Sequence, residues 1–171
     1  MKHAVTSFHD IYQRYSQDVY RFSFWLCGNA DEAKDLTSEA FVRLWTSKSD
    51  IITDTVRAYL FTIARNLYLQ QQRKRKRIVG LDAAFIDAAP GPEETAESKE
   101  NLQRVLTAMQ TLPEGERTAL ILKAYEHFSY QEIARVLGIS ATAAKVRVHR
   151  ARVKLATIIF REEASIDENY Q

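Results

Sequence analysis

Residues 129–152 read SYQEIARVLGISATAAKVRVHRAR, and the fold turns on this stretch. Ser129 and Glu132 have the spacing of a capping box, in which the serine oxygen and the glutamate carboxylate together satisfy the first turn of a helix. Gly138 can take the left-handed conformation that ends such a helix, and Ser140 is placed to cap another at once. Two short helices joined by Gly138, Ile139 and Ser140 predict a helix-turn-helix with Ile133, Ala134, Leu137 and Ile139 in its core. Beyond Ser140, the residues Ala144, Val148, Ala151 and Leu155 are spaced by four, three and four and form a buried stripe. Lys145, His149 and Arg150 lie off that stripe, and Arg147 and Arg152 flank it. The direction facing away from the core passes through Thr142, Val146, His149 and Arg150.

Upstream of this unit, Leu102, Val105, Leu106 and Met109 predict a helix, and the chain restarts at Pro113, a residue suited to a first helical turn. Ala119, Leu120, Leu122 and Ala124 fill the helix that follows. The first half of the chain is periodic as well. Ile11, Tyr12, Tyr15, Val19, Phe22 and Leu26 recur in steps of three and four until Gly28 and Asn29 end the helix. A second helix begins near the acids Asp31 and Glu32 and continues through Leu36, Ala40, Phe41, Leu44 and Trp45, with a polar opposite face. After a turn-like Thr46 to Asp54, a third carries Val56, Tyr59, Leu60, Ile63, Ala64 and Leu67.

Composition agrees with an all-α fold. Five Gly and three Pro in 171 residues leave few turns for a β-rich chain, while 46% hydrophobic and 27% charged residues allow a real core. One cysteine, Cys27, forms no internal disulfide and fits a reducing cytoplasm. No uncharged apolar run is long enough to cross a bilayer of roughly 30 Å, and the first ten residues lack a signal peptide's apolar core, so neither export nor membrane insertion is expected.

A net charge of +2 conceals a strong pattern. Arg73, Lys74, Arg75, Lys76 and Arg77 are consecutive cations, and Lys145, Arg147, Arg150, Arg152 and Lys154 cluster within ten residues. Between the runs, Asp82, Asp87, Glu93, Glu94, Glu97 and Glu100 oppose only Lys99, in a segment holding Pro90, Gly91 and Pro92. That is a linker's composition. Two basic runs, each ending a helical module, suit a polyanion by Coulomb attraction and counterion release. Metal-assisted phosphoryl chemistry is the competing class, with Asp31, Glu32, Asp35 and Glu39 as candidate ligands. Their three- and four-residue spacing suits an exposed helix face equally well, and His3, His9, His127 and His149 are too dispersed to form a metal set.

Together these residues resemble a known family. Asp35-Leu36, Glu39, Phe41 to Trp45 and Tyr59 to Leu67 before a basic run resemble region two of the extracytoplasmic-function (group four) sigma factors of the sigma-70 family. Leu112-Pro113, Ser129 to Ala134, Leu137 to Ser140, Lys145, Val148 to Arg152 and Leu155 resemble region four. The resemblance covers about residues 7–160. Departures are Lys34 where an acid is common, Ser38 where a glutamine is usual, Ala141 to Ala144 in place of a valine-glycine-threonine-valine run, and Val146 in place of a small polar residue.

The resemblance implies two small helical domains joined by a flexible acidic linker: region two over residues 1–77, linker 78–98, region four over 99–161 and an acidic tail 162–171. It implies core RNA polymerase and promoter DNA as partners and an anti-sigma protein as regulator, with no catalytic residue, metal, cofactor or small-molecule substrate. Asp35, Ser38, Glu39 and Arg43 would bind the polymerase. Arg65, Asn66 and Arg73 to Arg77 (Arg73, Lys74, Arg75, Lys76, Arg77) would meet the minus-ten element, with the loop Thr46 to Thr55 receiving flipped bases and Tyr59 and Phe61 as candidate stacking rings, Tyr59 better suited to the core. Thr142, Lys145, Val146, Arg147, His149, Arg150 and Arg152 would meet the minus-thirty-five element, and Thr53 and Thr55 are candidate phosphorylation positions. A free-standing helix-turn-helix regulator is the alternative, and it leaves the first module unexplained.

Overall fold

A computed structural model describes residues 7–47, 53–79 and 95–168. Among these residues there are seven helices and no strand: α1 (Phe8–Cys27), α2 (Ala30–Thr46), α3 (Thr53–Val79), α4 (Ala96–Thr111), α5 (Glu114–Ala124), α6 (Tyr130–Leu137) and α7 (Ala141–Glu168). They fall into two compact units, Met1–Phe85 and Ile86–Gln171.

The first unit is a three-helix bundle in which each helix packs on the other two. Its joints are made by local chemistry. Ser7 and Asp10 form a capping box that starts α1, Gly28 ends it at φ 73°, and the Asn29 side chain accepts from the Glu32 amide at 2.9 Å to start α2. Val19, Phe22 and Leu26 of α1, Leu36 and Ala40 of α2, and Leu60, Phe61 and Ala64 of α3 are fully buried. The rings of Phe22 and Phe61 meet edge to face at 4.8 Å.

This bundle corrects the reading of four aromatic positions. Tyr59, expected in the core, is 42% exposed, and Phe61 is fully buried. The reason is geometric. Because α3 packs against both α1 and α2, its buried arc is wide and takes in Leu60, Phe61, Ala64, Leu67 and Tyr68. At about 100° per residue that arc turns away from position 59. Tyr12 and Trp45, also in the apolar series, are exposed at the edge of an aromatic group in which Trp45 meets Phe8 at 4.8 Å and Tyr12 meets Phe41 at 4.9 Å.

In the second unit α7 packs on α4, α5 and α6. Thr95 caps α4, and the Ser129–Glu132 capping box starts α6, which Gly138 ends at φ 65°. Ser140 then accepts from the Ala143 amide at 3.1 Å to start α7. The core holds Leu106, Leu122, Phe128 and Ile133 with the stripe Ala144, Val148 and Ala151. Val136 is buried too, whereas Ile139 and Leu155 are half-buried. A buried arginine, Arg117, ties α5 to α4 by donating to the Gln110 carbonyl at 3.3 Å and side-chain oxygen at 2.8 Å. Lys123 reaches across the α5–α6 turn to donate to the Phe128 carbonyl at 3.3 Å, with its ammonium 4.5 Å from the centre of the Tyr130 ring.

The α5–α6 turn contains an unusual backbone. His127 sits at φ 54°, the left-handed region that favours glycine, and its side chain is exposed. Replacing His127 with glycine should raise the unfolding free energy by up to about 1 kcal/mol, read as a higher urea midpoint with an unchanged slope.

Element boundaries differ from expectation in four places. Pro113 is the N-cap of α5 and not its first residue. Thr46 belongs to α2, and α3 begins at Thr53, so only the centre of the expected base-capturing loop lies between helices, and residues 48–52 are outside the described residues. Most of the expected linker 78–98 (residues 80–94) is likewise outside them, and α4 begins before the linker's expected end, at Ala96. The expected acidic tail is helical through Glu168 as a continuation of α7, and Arg104 and Glu162 pair at 3.7 Å.

Candidate nucleic-acid interface and partner-binding face

Three helix faces present the predicted site residues. On α2, Asp35, Ser38, Glu39 and Arg43 are all exposed, on the side opposite Leu36, Ala40 and Leu44. Glu39 accepts from the Arg43 Nε at 3.1 Å, and Lys34 lies 3.9 Å from Asp31. These pairs lie along one exposed helix and hold their charges weakly. Val42 and Trp45 are 54% and 66% exposed on the same helix, so the charged face is continuous with an apolar one. The sequence hid the exposure of Trp45, because that residue fits the helix's apolar series.

On α3, exposure selects a stripe. Tyr59, Asn66, Gln70, Arg73 and Arg77 are exposed and separated by seven, four, three and four residues, which places them along one side of the helix. An aromatic ring, two amides and two guanidiniums therefore follow one another toward the helix C-terminus. Arg65 is half-buried, off this line. Five consecutive cations cannot share a face, since each step turns the helix about 100°. Arg75 points to the packed side, where its guanidinium donates to Glu32 Oε2 of α2 at 3.0 Å. The Glu32 side chain is only 11% exposed, so this cation is held by the protein's own acid. Lys74 and Lys76 are exposed on the remaining sides.

Thr53 and Thr55 fall in the first turn of α3 and not in a loop, and their side chains are outside the described residues.

On α7, Thr142, Lys145, Val146, His149, Arg150 and Arg152 are exposed, and the opposite stripe Ala144, Val148 and Ala151 is sealed. Val146 is 41% exposed, an apolar side chain amid cations on an outward face. Arg147 differs from its neighbours: it is half-buried, and its guanidinium lies over Gly115 of α5. Lys154 of the same basic run donates to both carboxylate oxygens of Glu116 at 3.0 and 2.8 Å.

The acids weighed as metal ligands are not assembled. Asp31 lies beside Lys34, Glu32 holds Arg75 and Glu39 holds Arg43. Among the described residues no three His, Cys, Asp or Glu side chains group as a metal site, and no helix is long and apolar enough to cross a membrane.

Comparison with known proteins separates the two units in the same way. Residues 11–78 match the sigma-70 region 2 family and residues 102–155 match sigma-70 region 4. The chain is 35% identical over 144 residues to the ECF RNA polymerase sigma factor EcfG of Rhodopseudomonas palustris, covering 81% of this chain and 77% of that protein. It is 31% identical over 157 residues to the ECF RNA polymerase sigma factor SigE of Mycolicibacterium smegmatis, covering 89% of this chain and spanning 61% of that longer relative. Among solved structures, the sigma factor RpoE in complex with the anti-sigma factor NepR from Bartonella quintana superposes with a TM-score of 0.79 at 27% identity, covering 89% of this chain and 96% of that one.

Proposed function

The chain belongs to the extracytoplasmic-function group of the sigma-70 family of RNA polymerase sigma factors, and from that premise we propose how its three exposed faces divide the work of promoter-directed initiation. It is a transcription initiation factor, with core RNA polymerase as partner and promoter DNA as target. The α2 face of Asp35, Ser38, Glu39 and Arg43 docks on core polymerase. The α3 stripe from Tyr59 to Arg77 follows the minus-ten element, its ring and amides meeting unpaired bases and its guanidiniums meeting phosphates. The outward face of α7 reads the minus-thirty-five element in the major groove. The protein acts by binding, with no bond made or broken by its own side chains, in the cytoplasm where its polymerase works. By likeness to the Bartonella quintana complex, an anti-sigma protein is a further partner.

The observation that carries this reading is the division of α7, with Thr142, Val146, His149 and Arg150 outward and Ala144, Val148 and Ala151 sealed, directly after a capped turn. Run-off transcription with core polymerase over genomic fragments tests it. Promoter-specific transcripts that depend on the chain are expected. A chain that binds DNA yet starts no transcript is a free-standing regulator, and the reading then falls.

The face also makes a residue-level prediction. Arginine can give paired hydrogen bonds to guanine, each contributing about 1–3 kcal/mol of discrimination, whereas an outward valine rewards a thymine methyl or avoids a polar edge. Arg150→Ala should therefore weaken DNA binding broadly, and Val146→Ser should alter the selected sequence with little change in salt dependence. Binding-site selection on both variants measures this. An unchanged minus-thirty-five sequence with Val146→Ser takes that side chain out of base reading.

A further inference from the structure

The first turn of α5 carries Glu114, Gly115 and Glu116, and the basic run of α7 meets it at two points. A β-carbon at Gly115 would land on the Arg147 guanidinium, so the missing side chain leaves the space in which that group lies. Arg147, Ala151 and Lys154 are separated by four and three residues and therefore share one side of α7. Ala151 between them is fully buried. At the far end, Lys154 donates to both oxygens of a Glu116 side chain that is 11% exposed. The arrangement is one end of a guanidinium seated against a glycine, a buried alanine and a two-oxygen ion pair in line.

A guanidinium beside a helix N-terminus meets an unfavourable helix dipole, and α5 has no side-chain cap to soften it. The same first turn carries two acids, of which Glu116 holds Lys154 and Glu114 accepts from the Thr118 hydroxyl. The guanidinium meets this seat through its Nη1 end, an arm of a planar fork that an ammonium lacks.

We propose that Arg147 and Lys154 are positioning residues of promoter reading, clasping α7 to the first turn of α5, and that Gly115 is the seat that makes the clasp possible. In this arrangement neither cation neutralises a phosphate. They fix the angle at which Thr142, Val146, His149 and Arg150 present themselves, so a change at Gly115, which lies on a different helix, alters promoter reading. The proposal rests on α7 being the helix that reads the minus-thirty-five element.

The test is equilibrium binding of the full chain, as holoenzyme, to a duplex carrying the wild-type-selected promoter, repeated across salt concentrations. Gly115→Ala removes no charge, and it should lower affinity for the selected sequence about tenfold, as loss of one base contact would, without changing the salt slope. Arg147→Ala and Arg147→Lys should both lose affinity by a similar factor, again at wild-type slope. The double variant Gly115→Ala with Arg147→Ala should lose no more than Arg147→Ala alone, because the seat and its occupant act as one unit and removing the guanidinium also relieves the crowding. That comparison holds even where Gly115→Ala alone folds poorly.

A salt slope that falls by about 0.9 in Arg147→Ala, with affinity restored by Arg147→Lys, makes Arg147 a phosphate contact and overturns the clasp. So does a Gly115→Ala chain that binds and selects like wild type. An Arg150→Ala chain with wild-type binding overturns the assignment of α7 itself, which separates that failure from failure of the clasp.

Discussion

Phe61→Ala will destabilise the first unit by about 3–5 kcal/mol, while Tyr59→Ala, two residues away, will leave its stability within about 0.5 kcal/mol of wild type. Phe61 is fully buried, its ring set edge to face on Phe22 at 4.8 Å and lying under the Arg57 guanidinium at 5.9 Å. Removing it empties a fully buried site beside Phe22. A loss of that size is a large share of the roughly 5–15 kcal/mol that holds a domain folded. Urea unfolding followed by circular dichroism measures it, and comparable losses in the two variants would mean the ring assignments are wrong. Tyr59→Ala should act on function instead. A stacking platform contributes about 1–3 kcal/mol per base, so promoter opening should slow on duplex DNA and recover on a template with the minus-ten region already unpaired. Failure of the unpaired template to rescue the variant would remove Tyr59 from base capture.

Charge reversal on α2 is expected to be as damaging to assembly as Phe61→Ala is to folding. Asp35 and Glu39 are exposed and one turn apart, and substitution of both by lysine leaves every core residue of the bundle in place. It also sets two new cations beside Lys34 and Arg43 and converts attraction for a basic partner surface into repulsion. Like charges across an interface cost several kcal/mol, so core-polymerase affinity should fall by about a hundredfold or more. Competition against the wild-type chain for core polymerase gives the number, and circular dichroism controls for folding. An unchanged affinity in a folded double variant would remove this face from the interface.

The parts of the structure that the sequence announces are those written in short-range chemistry. The Ser129–Glu132 capping box, the left-handed Gly138 and the Ser140 cap act over three or four residues, and all three stand where the spacing placed them. The division of α7 into sealed and outward sides is legible too, because its sealed residues Ala144, Val148 and Ala151 keep a single helical period. The Tyr59 and Phe61 assignments reverse because α3 has partners on two sides, and periodicity cannot tell which side of a wide arc is closed.

The fate of individual cations was hidden for a different reason. Arg75 pairs with an acid 43 residues away and Lys154 with one 38 residues away, and nothing local distinguishes them from neighbours left free to face solvent. A basic run in the sequence therefore overstates the charge available to a polyanion. The helical continuation through Glu168 was similarly masked, since the acids that suggested a tail sit on an extended helix with Glu162 paired to Arg104.

Trp45 turns the α2 face into an optical instrument. The chain has two tryptophans, Trp25 and Trp45, both in the first unit, so intrinsic indole emission is silent about the second. Trp25 is half-buried, whereas Trp45 is 66% exposed with its ring edge-on to Phe8. Water around an indole draws its emission to the red and contact quenchers reach it freely. Anything that docks on this end of α2 dries that ring, so the difference between free and bound spectra, and between Trp25→Phe and Trp45→Phe chains, reports which partner covers this face without a label or an affinity tag.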